Sequence, residues 1–372
     1  MNSFKIGYIE VKLPIVQGGM GVAVSLSGLA SAVANEGGIG VISAAGIGMD
    51  EPDYIKNFYE ANKRALRKEI KKARELSTGI IGLNVMMALS DHEDLITTAI
   101  EENIDVIFIG AGLPLKIPQV IENAGLKGHH TKLIPKVSSA KAARLIFQYW
   151  ANKYNIVPDA VALEGPLAGG HLGFCKKELS NITKPLSVLV EETVKEIRYF
   201  EDKFGKEIPV IAGGGINSGK DIYDIMQSGA KGVKIGTKFV TTFECDASPA
   251  FKESYLTSKE QDIVIIDSPV GLPGRVVKND FVQQIMNGET KPFKCPWRCI
   301  NTCNIKDAPF CIAQVLFNSA KGNMAEGFAF AGAKAYLATK IRHVSEVIEE
   351  LISEYNFEFL NKQLYPAIVN PK

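Results

Sequence analysis

No stretch of this sequence reaches the roughly 18 consecutive apolar residues that a membrane-crossing helix requires, so no transmembrane helix and no membrane partner are expected. An excess of one charge sign is also missing. Lys+Arg number 42 against Asp+Glu 41, a formal charge of +1. Binders of nucleic acid or anionic membrane carry a basic excess, and none is present. The N-terminal residues lack the charged segment and unbroken apolar run of a secretory signal. Cysteine is scarce, with 6 in 372 residues, far from the density of a secreted disulfide scaffold. A reduced, cytoplasmic protein is expected. There is no G-X-Y period, which excludes a collagen-like chain, and 46% hydrophobic residues exclude disorder.

Glycine is abundant, at 34 residues, and clustered. Short β-branched runs at 13–16, 39–43, 80–85, 105–109, 133–137, 160–163, 209–212 and 232–235 are continuously apolar, as parallel strands buried on both faces are. Their spacing of roughly 25 residues matches one βα unit. Helical patterns lie between them at 25–36, 53–76, 92–103, 139–153, 190–204 and 219–228, with Ser25, Asp91, Ser138 and Ser218 as candidate caps. The alternation predicts an α/β fold, a (β/α)8 TIM barrel over 1–245. A doubly wound sheet would place its glycine fingerprint after the first strand, but the first loop here is Gln17-Gly18-Gly19-Met20-Gly21 and the richest glycine loop comes late. Residues 246–372 are expected to form a smaller, α-rich C-terminal lobe packed on the barrel, with a strand at 262–268, a turn-rich loop at 269–275, and helices at 313–321 and 344–355.

A barrel places its site at the C-terminal strand ends. Gly213-Gly214-Gly215, followed by a helix from about Ser218, and Gly236-Thr237 offer backbone N–H groups of the kind that bind phosphate. His171 follows the flexible Ala168-Gly169-Gly170 loop, and an imidazole with a pKa near neutrality handles protons by default. The other histidines sit in a polar loop or beside helix starts. Asn84 and Lys136 are polar residues ending apolar strands, suited to a heteroaromatic ring that takes up negative charge. Glu164 is placed to bind hydroxyls or the ring edge, or to cap its own loop. Cys295, Cys299, Cys303 and Cys311 lack the usual zinc or ferredoxin spacings. The first three fall on one face if that segment is helical, and no metal site is assigned.

Together these residues resemble the nitronate monooxygenase family, formerly 2-nitropropane dioxygenases. The resemblance rests on Pro14 to Met20, Gly82-Leu83-Asn84, Ala168-Gly169-Gly170-His171-Leu172-Gly173, Ala212 to Ile216 and Gly232 to Phe239. The segments 268–275 and 295–311 also look like longer members. The resemblance implies an FMN-dependent barrel oxidising alkyl nitronates or nitroalkanes with O2, His171 taking the α-proton of a nitroalkane or orienting the nitronate. Gly19 and Met20 would approach the isoalloxazine, Asn84 and Lys136 contact the flavin, Glu164 and Gly170 lie beside it, and Gly213, Gly214, Gly215, Gly236 and Thr237 hold the phosphate. His171 would be catalytic. Many relatives carry an acidic residue where Leu167 stands here. The expected partners are a small-molecule substrate and O2, with a homodimer as the admissible assembly. The same motifs are similar to enoyl-[acyl-carrier-protein] reductase II, which implies an FMN- and NAD(P)H-dependent alternative. A non-catalytic flavin-binding protein is a third reading.

Overall fold

The computed structural model describes residues 1–364. Eight parallel strands close a barrel: β1 (Ile15–Gln17), β2 (Ile39–Ser43), β3 (Ile80–Met86), β4 (Val106–Gly110), β5 (Lys132–Val137), β6 (Val161–Glu164), β7 (Val210–Gly213) and β8 (Gly232–Ile235). Strand β8 pairs with β1 through Val233↔Ile15 and Ile235↔Gln17, which completes the ring. Each strand falls within two residues of its expected position, because an apolar run buried on both faces has no other place in a compact α/β chain.

Two apolar layers result. Val16, Val41, Val106, Phe108, Ile134, Ala162 and Ile211 fill the barrel interior. A larger outer layer fills the space between strands and helices. A hairpin, Phe4–Ile6 paired with Ile9–Val11, adds Phe4, Ile6 and Val11 to the inner layer. The Phe4 ring packs so closely on Gly232 that a Cβ there would lie 2.9 Å from it. The sequence gives little sign of this three-residue pairing.

Ser218 caps helix Gly219–Gln227 as expected, accepting from Asp221 N–H at 3.1 Å, and the other expected caps differ. Ser25 accepts from Met20 N–H at 2.8 Å and leaves the first helix, Ser27–Asn35, uncapped. The half-buried Asp246 carboxylate takes its place, accepting from the N–H groups of Leu26 at 2.7 Å, Gly28 at 3.1 Å and Leu29 at 3.1 Å. Sequence spacing does not show a cap 220 residues away. Replacement Asp246→Ala is expected to destabilise the fold by about 2 kcal/mol, since three backbone N–H donors lose their acceptor and the helix its cap, with Asp246→Asn costing less because it keeps one acceptor oxygen. Urea denaturation measures this, and an unchanged midpoint would refute it. Asp91 occupies a cap position, but its carboxylate accepts from Asn62 Nδ2 at 2.6 Å. Ser139, not Ser138, caps helix Ala140–Tyr154.

After residue 245 the chain forms helix Pro249–Leu256, an antiparallel hairpin (Ile263–Asp267 with Pro273–Val277), and helices Asp280–Met286, Ile312–Ala320 and Val344–Leu364. The hairpin corrects the reading of 269–275 as loop throughout: Pro273–Val277 is a strand, and it also pairs with the two residues Gly170–His171. Segment 287–311 contains no helix, so Cys295, Cys299 and Cys303 do not share a helical face. Helix Val344–Leu364 lies against helix Gly219–Gln227, where Gly219 lets the backbones approach: a Cβ there would sit 2.2 Å from Tyr355 N. Residues 365–372 of the expected C-terminal lobe lie outside the described residues.

Candidate active site

A cavity of about 500 Å³ opens at the C-terminal ends of the strands. It is lined by every residue singled out from the sequence: Gly19, Met20, Asn84, Lys136, Glu164, Gly170, His171, Gly213, Gly214, Gly215, Gly236 and Thr237. The strand register explains the convergence. Glu164 of β6 stands beside Gly213 of β7, and Gly213 beside Lys234 of β8. The first loop passes directly over β3, and Gly19 is needed there because a Cβ would come within 2.3 Å of Asn84 Cβ.

The late glycine loops present donors, though not as the sequence suggested. The start of helix Gly219–Gln227 is already satisfied. Asp221 accepts from Asn217 and Ser218 N–H at 2.8 and 3.1 Å, and Glu354 accepts from Gly219 N–H at 2.6 Å. Its dipole therefore meets carboxylates of the protein itself. The unclaimed donors lie in the loops before it. Among the described residues, the N–H groups of Gly215, Ile216 and Thr237 donate to nothing, and all three residues line the cavity. Gly214 and Gly215 take φ of +106° and +84°, which non-glycine residues adopt only under strain. Leu167 packs its side chain against Gly215. Thr237 Oγ1 accepts from Gly332 N–H at 3.1 Å.

Three ionisable side chains meet inside the barrel. Lys136 Nζ lies 3.4 Å from Glu164 Oε1. Lys234, whose Nζ is 5.6 Å from the Phe108 ring centroid, adds a second ammonium. Burial alone would raise the Glu164 pKa, but the Lys136 and Lys234 charges outweigh it and hold the carboxyl below its ordinary value. Lys234 falls to about 7, through burial and repulsion from Lys136, opposed by Glu164. Lys234 was readable as an ammonium set in an apolar strand between Val233 and Ile235, yet it was not among the expected site residues. Asn84 Oδ1 is buried without a hydrogen-bond partner.

His171 pairs with Gly274 across the short sheet, and Leu172 N–H donates to Pro273 O at 2.9 Å. Its ring stands edge-on to Phe330 at 4.8 Å, and Nε2 lies 2.7 Å from Ser268 Oγ. The Arg275 guanidinium, pushed down to about 10 by burial, donates to Ala168 O and holds the loop that carries the histidine. One expectation changes: burial and the nearby Lys136 ammonium push the His171 pKa down to about 4, well below neutrality. Ser268, Arg275 and Phe330 follow no strand-end rule, so the sequence did not mark them.

Cys299 also lines the cavity, and its thiol is pushed up to about 12 by burial and its neighbouring cysteines. Among the described residues, no three His, Cys, Asp or Glu side chains stand together so as to hold a metal ion.

The family model for nitronate monooxygenase matches residues 2–354. The chain belongs to the nitronate monooxygenase family. It is similar to a probable nitronate monooxygenase of Staphylococcus saprophyticus, 29% identical over 75% of this chain and 79% of that one. It is also similar to (3aS,4S,5R,7aS)-5-hydroxy-7a-methyl-1-oxo-octahydro-1H-indene-4-carboxyl-CoA dehydrogenase of Mycobacterium tuberculosis, 26% identical over 75% of this chain and 67% of that one. Among solved structures, FabK from Thermotoga maritima superposes with a TM-score of 0.73 at 28% identity, covering 95% and 96% of the two chains. Nitroalkane oxidase from Streptomyces ansochromogenes, at 20% identity and a TM-score of 0.69 over 94% and 97%, shares the fold. The chain is thus an oxidoreductase on a TIM barrel.

Proposed function

We propose that this enzyme oxidises alkyl nitronates with O2 using FMN, with His171 in contact with the substrate. The observation that carries the reading is the set of unclaimed polar groups in one cavity: the Gly215, Ile216 and Thr237 N–H groups on one side and Asn84 Oδ1 on another. These fit a phosphate and the polar edge of a flat ring. Gly213, Gly214, Gly215, Gly236 and Thr237 would hold the phosphate, with Gly19, Met20, Asn84, Lys136, Glu164 and Gly170 around the ring. When bound, FMN supplies electron acceptance and transfer to oxygen. The chain's own residues supply placement and field. Lys136 faces Glu164, and Lys234, with its pKa at about 7, supplies further positive charge as it takes up a proton, so the cavity floor favours an anion. His171 faces the same space. Residues after 245 are read as a lobe that completes the site, because its hairpin holds His171 in place.

A second reading, an NAD(P)H-dependent enoyl-thioester reductase, draws on the likeness to FabK from Thermotoga maritima and on the apolar wall formed by Leu113, Phe251, Ile300, Leu316 and Phe330. The purified protein is expected to be yellow, with its flavin bleached anaerobically by an alkyl nitronate and recoloured by O2. Bleaching by NAD(P)H alone, followed by reoxidation with an enoyl thioester, would establish the reductase instead. A colourless protein that takes up no FMN would remove both readings.

A further inference from the structure

Ser268 and His171 share one hydrogen bond, and its direction decides what the histidine can do. Ser268 Oγ receives Val270 N–H at 3.5 Å. Among the described residues, its own proton has one acceptor within reach, His171 Nε2 at 2.7 Å. The hydroxyl therefore donates, and Nε2 supplies a lone pair. The ring is neutral at pH 7, and a neutral imidazole whose Nε2 accepts carries its single proton on Nδ1. Nδ1 has no protein partner among the described residues, and His171 lines the cavity.

We propose that Ser268 is a positioning residue that locks His171 as the Nδ1–H tautomer, making His171 a hydrogen-bond donor to substrate oxygen instead of a proton acceptor. The hairpin is built for this task. Ser268 opens a turn closed by Gly271 N–H to Ser268 O at 3.0 Å, with Gly271 at φ +84°. The strand leaving that turn pairs with the His171 backbone. Backbone and ring are thus held from one element, and Phe330 packs on the ring. A preformed nitronate presents an anionic oxygen that accepts from Nδ1–H. A neutral nitroalkane, which must lose a carbon-bound proton, finds no base at that atom. The substrate preference rests on the nitronate reading above; the tautomer does not.

Nitrogen–proton correlation spectra of ¹⁵N-histidine-labelled protein as purified, at pH 7, test this. The His171 signal, assigned by its loss in His171→Gln, is expected to show a protonated Nδ1 and an unprotonated Nε2. Ser268→Ala is expected to shift the ring towards Nε2–H and to raise KM for an alkyl nitronate about tenfold with a smaller change in kcat, the size of one lost orienting bond. Ser268→Thr is expected to restore both. A wild-type ring protonated on Nε2, or a Ser268→Ala spectrum matching wild type, overturns the proposal, and the wild-type spectrum decides even if the alanine variant does not fold. Flavin left unbleached by nitronate, with the Nδ1–H signal present, would remove the nitronate reading and leave the tautomer standing.

Discussion

Replacing His171 by alanine is expected to lower kcat/KM for an alkyl nitronate by about 10²- to 10³-fold, the usual loss when one aligned donor is removed from a site of charge rearrangement. FMN binding is expected to persist, because the Gly215, Ile216 and Thr237 donors are untouched by the change. His171→Gln retains an N–H donor on a side chain of similar reach and is expected to fall between the two. The pH profile separates this role from that of a general base with an ordinary pKa. An unperturbed imidazole titrates near 6.5 and would give an acid limb there. Burial and Lys136 move the His171 pKa to about 4, so the wild-type profile between pH 5 and 8 is expected to show no limb that His171→Ala removes. Stability carries the same signature. The folded pKa lies below the unfolded value, so the unfolded chain binds more protons between them, and stability falls as pH drops from about 6.5 towards 4. That slope is expected to be shallower in His171→Gln. Anaerobic stopped-flow reduction at several pH values measures the kinetic part. Turnover by His171→Ala within threefold of wild type would sink the assignment.

The barrel was legible because its signal is local and repeated. Each strand is an apolar run, each carries a glycine or polar residue at or near its C-terminal end, and the fold rule converts those ends into a list of site candidates. Asn84, Lys136, Glu164 and His171 were found in that way. What the sequence hid depends on contacts between distant segments. Asp246 caps a helix that begins at residue 27, and Ser268 reaches His171 across 97 positions. Glu354 occupies the helix start that glycine spacing had offered to a phosphate. The cysteine segment failed for a different reason. A three-residue spacing suits a helix, but the segment instead drapes over the barrel mouth. Ser90 N–H bonds Cys299 O at 3.1 Å and the Trp297 ring stacks on Phe58 at 5.6 Å, and these tertiary contacts override the local pattern.

Replacing Lys234 by methionine is expected to raise stability at pH 7 by about 3 kcal/mol and to remove a pH dependence that wild type shows. Lys234 sits in β8 between Val233 and Ile235, with Lys136 as a second ammonium nearby and a single carboxylate, Glu164, between them. Burial and Lys136 lower its pKa to about 7, whereas an unfolded lysine titrates at about 10.4. Between those values the unfolded chain holds more protons than the folded one, so wild-type stability rises as pH rises from 7 towards 10. Below 7 both states are protonated, the slope vanishes and the full penalty applies. Water reaching the cavity screens the charge, so the expected gain is set below the roughly 1.4 kcal/mol per pKa unit of an unscreened shift. Methionine keeps the length and the apolar stem and carries no charge. Chemical denaturation of cofactor-free protein at pH 7, 8, 9 and 10 measures the effect, and equal slopes for wild type and Lys234→Met would overturn it. The strain left in the free protein has a use. An anion seated above Lys136 and Lys234 offsets their repulsion and raises the Lys234 pKa again, so wild type is expected to take up protons on binding FMN or a nitronate at pH 8. In lightly buffered solution the uptake is measured directly. Lys234→Met is expected to show markedly less of it, together with weaker anion binding.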